Sequence, residues 1–586
     1  MPHGRHTCVT TRAPRLSRVG RVASMHKSRV ANTFHFATVL TSSPFCSITF
    51  GFVLFAMSIV STAPLHFRAV NLDANLTFVL IVAATLYIVL PFFFRKNIVD
   101  KNGNSIPPGP LLRLPSLPDY PERTLHAWAQ KFGSLYSFFI GNQLYIVISD
   151  ANVARELLVN NGAIFSSRKQ YFIKNQTILR GRAISASPYG ETWRQHRKVA
   201  AQLLTPKAIQ GYNDVLDYEA RIMIRSMYKE SMQGALPINP AHYTGRYTLN
   251  NMLTLAFATR TDSSSDPLIQ RILAMALEFN DLTGPFANLV DFIEPLQWLP
   301  NRTHARAEKL HSEFIEVYGA MIMAVKARMD AGEDVPHCLA KVLIEGQQQE
   351  KLDWEDMCML SAAFAIGGVH STSGIIQWFL ALIGKHPDIQ ARAHHELDAV
   401  VGRDRWPVAE DEKDLPFIRA IIKEVLRVHA PFWNATPHSS TEDFVYNGMY
   451  IPKGSALILN CFTLHHNEAR YSDPHAFNPD RYLGDEMSCA ESAHQSNAME
   501  RDHWSFGAGR RICPGINVAE RILFLAISRL LWAFTIHEVP TEPISLEEYE
   551  GTSGRTPMPY RVHMLPRHER VHTALEAEQE IANCEL

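Results

Sequence analysis

The chain is poor in several features that would place it in a familiar class. No aspartate or glutamate precedes Asp73, and overall 57 Lys+Arg face 58 Asp+Glu for a formal net charge of −1. Without a global basic excess, nothing electrostatic marks nucleic acid as the partner. Only eight cysteines occur in 586 residues, at Cys8, Cys46, Cys338, Cys358, Cys461, Cys489, Cys513 and Cys584. None sits in a Cys-x-x-Cys pair or a regular framework, which argues against a disulfide scaffold and against a structural zinc site. There is no internal repeat and no low-complexity tract. Apolar side chain, in contrast, is abundant: 46% hydrophobic content is too much for disorder and enough for a large core.

The near-zero total hides an asymmetry, because Arg5, Arg12, Arg15, Arg18, Arg21, Lys27, Arg29 and Arg68 all precede the first acid. Residues 1–43 form a basic N-terminal segment. Residues 44–67 are a candidate transmembrane helix, and 76–94 are strongly apolar without a charge. As a helix the second stretch reaches roughly 28 Å, close to the ~30 Å hydrocarbon core. It reads as the anchor helix. Arg95 and Lys96 follow at once, so the positive-inside rule puts that end in the cytosol. With both stretches spanning, the N-terminus is cytosolic too; with the second alone, it is lumenal. The Arg-rich, acid-free start also fits a mitochondrial-type presequence or a start codon placed too far upstream.

Residues 95–118, with Pro107, Pro108, Pro110, Pro115 and Pro118, read as a stiff hinge between anchor and body. Residues 135–149, around Gly141-Asn142, predict a β-hairpin, and 450–460 predict a further strand. From about Asp150 onward the pattern is mainly helical. The expected body at 119–565 is therefore mostly α with a minor β-sheet, followed by a tail at 566–586 that is acidic at its end.

The strongest chemical signal is the run Phe506-Gly507-Ala508-Gly509-Arg510-Arg511-Ile512-Cys513-Pro514-Gly515, followed by an apolar helical pattern over 516–536. A thiolate just before a helix N-terminus has its charge favoured by the dipole and by unpaired backbone N–H groups. Here the sequence resembles the haem-binding loop of the cytochrome P-450 superfamily, the haem-thiolate monooxygenases, and the likeness extends over nearly all of residues 107–565. The resemblance implies that fold, with Cys513 as the axial ligand of the iron of haem b. Phe506, Gly509 and Gly515 would shape the loop, and Arg511 would pair with a haem propionate. A thiolate pushes electron density into the iron and favours O–O cleavage.

The same resemblance reads Glu424 and Arg427, three apart on one helix face, with Arg481 of Phe477-Asn478-Pro479-Asp480-Arg481 as a buried network that fixes the chain around the haem loop. It reads Trp193 and Arg197, one helical turn apart, as propionate donors, and His438 as a further one. The plainer alternatives are a core aromatic at 193 and a packed imidazole at 438. The apolar run 353–384 carries Gly367-Gly368-Val369-His370-Ser371-Thr372 at its centre, which favours a buried helix over a third span. Two adjacent glycines suggest a kink or a close approach. In the family this is the oxygen-binding groove, with an acid and then a threonine where this chain has His370 and Ser371. His370, Ser371 and Thr372 could together deliver protons; the rival is a structural His370 with Ser371 alone ordering water.

The resemblance thus implies an oxidoreductase that takes electrons from NADPH through a partner NADPH–cytochrome reductase, or a cytochrome b-type donor, because no flavin or nicotinamide domain is visible. Its substrate would be a small apolar organic molecule. The anchor implies the endoplasmic reticulum membrane with the body facing the cytosol, the presequence reading a mitochondrion. The overall organisation is similar to fungal enzymes of secondary metabolism, with aromatic or polyketide-derived substrates favoured by analogy. Two rivals stay open: the same fold catalysing rearrangement, dehydration or peroxide-driven oxidation, and a non-catalytic membrane haem-binding protein.

Overall fold

A computed structural model describes residues 95–576, apart from 115, 116, 118, 262, 264 and 265. The basic segment 1–43, the two candidate spans at 44–67 and 76–94, and the acidic tail end from 577 lie outside the described residues. The ten described helices of twelve residues or more are α1 (Pro121–Phe132), α2 (Glu191–Leu204), α3 (Asn213–Glu230), α4 (Ala241–Phe257), α5 (Pro267–Leu282), α6 (Arg302–Asp330), α7 (Trp354–Lys385), α8 (Pro387–Val400), α9 (Pro416–Val428) and α10 (Ile516–Ala533).

The predicted hairpin is present as β1 (Leu135–Ile140) and β2 (Gln143–Ile148), antiparallel, with Ile140 opposite Gln143 across a two-residue turn. Both strands are almost wholly buried, which explains their near-continuous apolar runs. They belong to a five-stranded sheet with β3 (Ser167–Arg168), β4 (His438–Ser439) and β7 (Ala456–Leu459), in the order β1-β2-β7-β4-β3. The single strand expected over 450–460 is instead two, β6 (Met449–Ile451), paired with β5 (Phe444–Tyr446), and β7. Pro452 has no amide hydrogen to continue the ladder, and the chain turns there, with Ser455 N–H donating to the Pro452 carbonyl.

Over its described part the Pro-rich segment is docked on this sheet. Ser137 N–H donates to the Pro108 carbonyl at 2.7 Å, Leu114 N–H to Phe139 at 2.9 Å, and Arg95 Nη2 lies 2.9 Å from Ser137 Oγ. Of the Asn-x-Thr sequences at 75, 175, 301 and 434, the first lies outside the described residues, Asn175 and Asn434 are buried, and Asn301 caps α6 by accepting from His304 N–H.

Helix α7 runs through the middle of the helical core, packed by α4, α6 and α10. Among the described residues it alone has the length and apolarity to cross a membrane, and two thirds of its apolar stretch is buried within the body. The reason for its glycines is then local. At Gly368 a Cβ would lie 2.1 Å from Met252 Sδ of α4, so any larger residue would have to push the Met252 side chain aside at this close crossing. At Gly367 a Cβ would meet nothing within 4 Å, and this mid-helix residue is exposed to open space beside the helix. The helix is continuous across both.

Candidate active site

The loop before α10 is closed on itself. Cys513 N–H donates to the Phe506 carbonyl at 2.9 Å, Ile512 N–H to Gly509 at 3.1 Å, and Gly507 N–H to Trp504 at 2.9 Å. Gly509 has φ +61, and a Cβ there would sit 2.0 Å from the Leu158 carbonyl oxygen, which forbids any side chain. Gly515 directs its N–H at the Cys513 sulfur and caps α10. Of the five described cysteines, four are buried and Cys513 alone keeps part of its surface accessible. Burial pushes its thiol up, opposed by the Gly515 N–H and by the positive charge of Arg197.

Arg511 projects from the same loop into a ring of backbone carbonyls, those of Ser166 (2.7 Å), Ile184 (2.9 Å) and Ser187 (2.6 Å). Its guanidinium lies over the Trp193 ring, 4.3 Å from the centroid. Trp193 Nε1 donates to the same Ile184 carbonyl at 3.2 Å. Arg197, one turn along α2, stands near Cys513 with no carboxylate partner among the described residues. His438 is buried, with Nδ1 2.7 Å from the Phe165 carbonyl. The structure therefore places Trp193, Arg197, His438, Arg511 and Cys513, which the family resemblance assigned to one site, near one another.

It also adds Arg168, which the sequence reading did not single out. Arg168 faces His438 across the β3–β4 register and bonds the Thr436 carbonyl, but its Nε is buried with no acceptor. Burial and the neighbouring Arg511 hold its pKa well down. Arg511 itself is lowered to about 9 by burial and by Arg197. Three guanidiniums that repel one another inside a protein, without a carboxylate, are costly unless anions complete the site. A prosthetic group with a soft-ligand metal and two carboxylates fits this donor set: thiol, three guanidiniums, an indole N–H and an imidazole.

The expected network is also present. Glu424 receives Arg427 through two bonds (2.6 and 2.7 Å) and Arg481 through one (3.3 Å), and Asn478 N–H completes it at 2.9 Å. The remaining Arg427 donors go to the carbonyls of His465, Pro474 and Ala476. Glu424 and Arg427 are fully buried, whereas Arg481 sits at the edge. His465 Nε2 accepts from Trp504 N–H, and Ser505 Oγ donates to Leu426, so the network grips the start of the cysteine loop.

On α7 the three groove residues diverge. Ser371 Oγ donates to the Gly367 carbonyl one turn back at 2.7 Å, Thr372 is buried, and His370 packs against the loop residue Gly554, where a Cβ would lie 2.6 Å from the imidazole. Asn280 of α5 holds Gly554 through its side-chain amide. His370 Nε2 is buried without a partner, and burial lowers its pKa, opposed by the Gly554 backbone. A separate buried cluster, Cys489, Asp502 and His503, already has a cation, Lys423, 3.7 Å from Asp502. It is not the thiol of the loop motif.

Mainly helical body, minor sheet and cysteine loop define a haem-thiolate architecture, and comparison with known proteins agrees. The sequence profile described as Cytochrome P450 matches residues 107–564, and the chain belongs to that family. It is 32% identical over 468 residues to cytochrome P450 monooxygenase verL of Clonostachys rogersoniana (77% of this chain, 83% of that protein). It is 30% identical over 515 residues to virE of Hypocrea virens (83% and 90%) and over 518 residues to polD of Polytolypa hystricis (87% and 98%). These relatives are named monooxygenases, consistent with an oxidoreductase. A zebra fish cytochrome P450 structure with abiraterone shares the fold at TM-score 0.64 and 23% identity, over 77% of this chain and all of that one.

Proposed function

We propose that this protein is a membrane-anchored haem-thiolate monooxygenase of fungal secondary metabolism, facing the cytosol from the endoplasmic reticulum. It would receive NADPH-derived electrons from a separate reductase or a cytochrome b-type donor and oxidise a small, largely apolar organic substrate. The observation that carries this reading is the convergence of one accessible cysteine and three acid-free guanidiniums.

In this reading Cys513 ligates the iron, and the Gly515 N–H tempers the charge on its sulfur. Arg168, Arg197, Arg511, Trp193 and His438 hold the two propionates. Bound there, haem b supplies dioxygen activation and transfer of one oxygen atom. Phe506, Gly509 and Gly515 keep the loop narrow, and the Glu424–Arg427–Arg481 network holds it in place. His370 is the proton-handling group of the groove: its neutral imidazole accepts at one nitrogen and donates at the other, and its unpartnered Nε2 leaves one free. Ser371 and the buried Thr372 supply further hydroxyls from adjacent positions of α7, that of Ser371 donating to the Gly367 carbonyl.

His370→Ala is expected to lower reductase-supported turnover roughly tenfold and to raise hydrogen peroxide release. Unchanged turnover and peroxide release would contradict the relay. The lack of an acid beside Ser371 supports a second reading, rearrangement or peroxide-driven chemistry on the same fold. That alternative predicts no NADPH-dependent O2 uptake.

A further inference from the structure

Just upstream of the cysteine loop, Cys489, Asp502 and His503 form a buried cluster that the haem site does not use. Cys489 opens the short helix Cys489–Ser492, which packs against α10, while Asp502 and His503 precede Trp504 at the start of the loop. The sulfur, one carboxylate oxygen and one ring nitrogen all lie within 4.8 Å of one another. Cys489 Sγ is 3.4 Å from His503 Nε2, and Asp502 Oδ2 is 3.9 Å from the same nitrogen. A tetrahedral ion bonded at about 2.3 Å to sulfur and about 2.0 Å to nitrogen holds those two atoms about 3.5 Å apart. The sulfur–nitrogen edge therefore already has the length of a metal site.

Asp502 accepts the His503 backbone N–H at Oδ1 (2.6 Å), which leaves Oδ2 buried without a hydrogen bond. A buried carboxylate oxygen in that state is costly. Lys423 stands 3.7 Å from it but directs its hydrogen bonds to Asp485 at 2.5 Å and to the Met487 carbonyl at 2.7 Å. Glu520 of α10 borders the Cys489 thiol and accepts the Cys489 backbone N–H at 2.6 Å. Thiol, imidazole and carboxylate together suit a borderline-soft divalent cation rather than magnesium or calcium. The lack of Cys-x-x-Cys pairs excludes multi-thiol zinc sites; a site with one thiol leaves no such mark.

We infer that Cys489, Asp502 and His503 bind a zinc ion, with Glu520 as the oxygen that completes four-coordination. The site stands apart from the proposed haem chemistry. Binding releases the thiol proton and places the ring proton of His503 on Nδ1, giving up the long 3.3 Å contact from Ser505 N–H. The Asp502 carboxylate closes on Nε2 by about half an ångström. The ion would tie the Cys489 helix and α10 to the start of the cysteine loop, on the side that the Glu424 network reaches through Trp504 and Ser505.

The test uses full-length, haem-loaded, tag-free protein in lipid nanodiscs, stripped with a chelator, given a slight excess of zinc and desalted. Zinc per chain is counted by elemental mass spectrometry, and the zinc K-edge, which the haem iron does not obscure, reads the ligands. The parent should retain one zinc with one sulfur at about 2.3 Å and nitrogen or oxygen at about 2.0 Å. Cys489→Ala and His503→Gln should each weaken zinc binding by about a hundredfold or more. The parent spectrum stands without any variant, so a variant that fails to fold does not decide the outcome. Parent protein that retains no zinc overturns the inference. Zinc without a sulfur neighbour, or zinc held equally by folded Cys489→Ala, also overturns it and marks an adventitious ion only. The reduced–CO spectrum of the same sample reads Cys513 separately, so failure of the zinc site and failure of the haem-thiolate reading are distinguishable.

Discussion

Glu424→Ala is expected to lose about 3–5 kcal/mol of stability, because removing one partner of a buried ion pair leaves an uncompensated charge. A domain has only about 5–15 kcal/mol in total, so most of the variant should be recovered without haem or in aggregates. The geometry explains the size of the effect. The carboxylate takes two bonds from Arg427, one from Arg481 and one from the Asn478 backbone, and both Glu424 and Arg427 are fully shielded from water. Arg427 in turn fixes the carbonyls of His465, Pro474 and Ala476, and the backbone N–H of Trp504 bonds His465. Arg481→Leu should cost less, since that side chain is partly exposed and contributes one longer bond. Urea unfolding of both variants checks the order; Glu424→Ala within about 1 kcal/mol of the parent would show that the network does not hold the loop.

Arg168→Leu is expected to have opposite signs in the two forms of the protein. Without haem, the substitution removes a buried, under-bonded cation that Arg511 repels, so stability should stay constant or rise. With haem, it would remove the charge-assisted hydrogen bond to a propionate assigned to Arg168 in the proposed function, and affinity should fall by about tenfold or more. Thermal unfolding of the haem-free protein, together with the rate of haem transfer to apomyoglobin, reads both effects. Parallel destabilisation of both forms would mean that Arg168 is a packing residue. A merely structural guanidinium would not be expected to raise the stability of the haem-free form when lost.

The sequence reading located the hairpin, the helical body and the cysteine loop because each has a local signature: two apolar runs around Gly141-Asn142, 3.6-residue periodicity, and glycines at fixed offsets from Cys513. Glu424 and Arg427 were legible as helix neighbours. Arg168 was not, because a two-residue strand carries no periodic signal, and its importance lies in facing His438 from 270 residues away, a long-range pairing. The signal that could have found it is the basic pair Arg168-Lys169, without a neighbouring acid, shortly before a candidate propionate helix. The break between β6 and β7 could have been read from Pro452. The role of Gly368 could not, because it is set by Met252 on another helix.

The central claim, a thiolate-ligated haem at Cys513 that accepts reductase electrons, is tested most directly by one absorption measurement. The reduced, CO-bound spectrum is recorded for the parent and for Cys513→His in membranes, with NADPH-dependent O2 uptake followed beside a reductase in the same sample. This account predicts a strongly red-shifted Soret band and reductase-dependent O2 uptake in the parent and neither in the variant. Intact, haem-loaded parent protein without that band, or a variant that keeps it, would contradict the account.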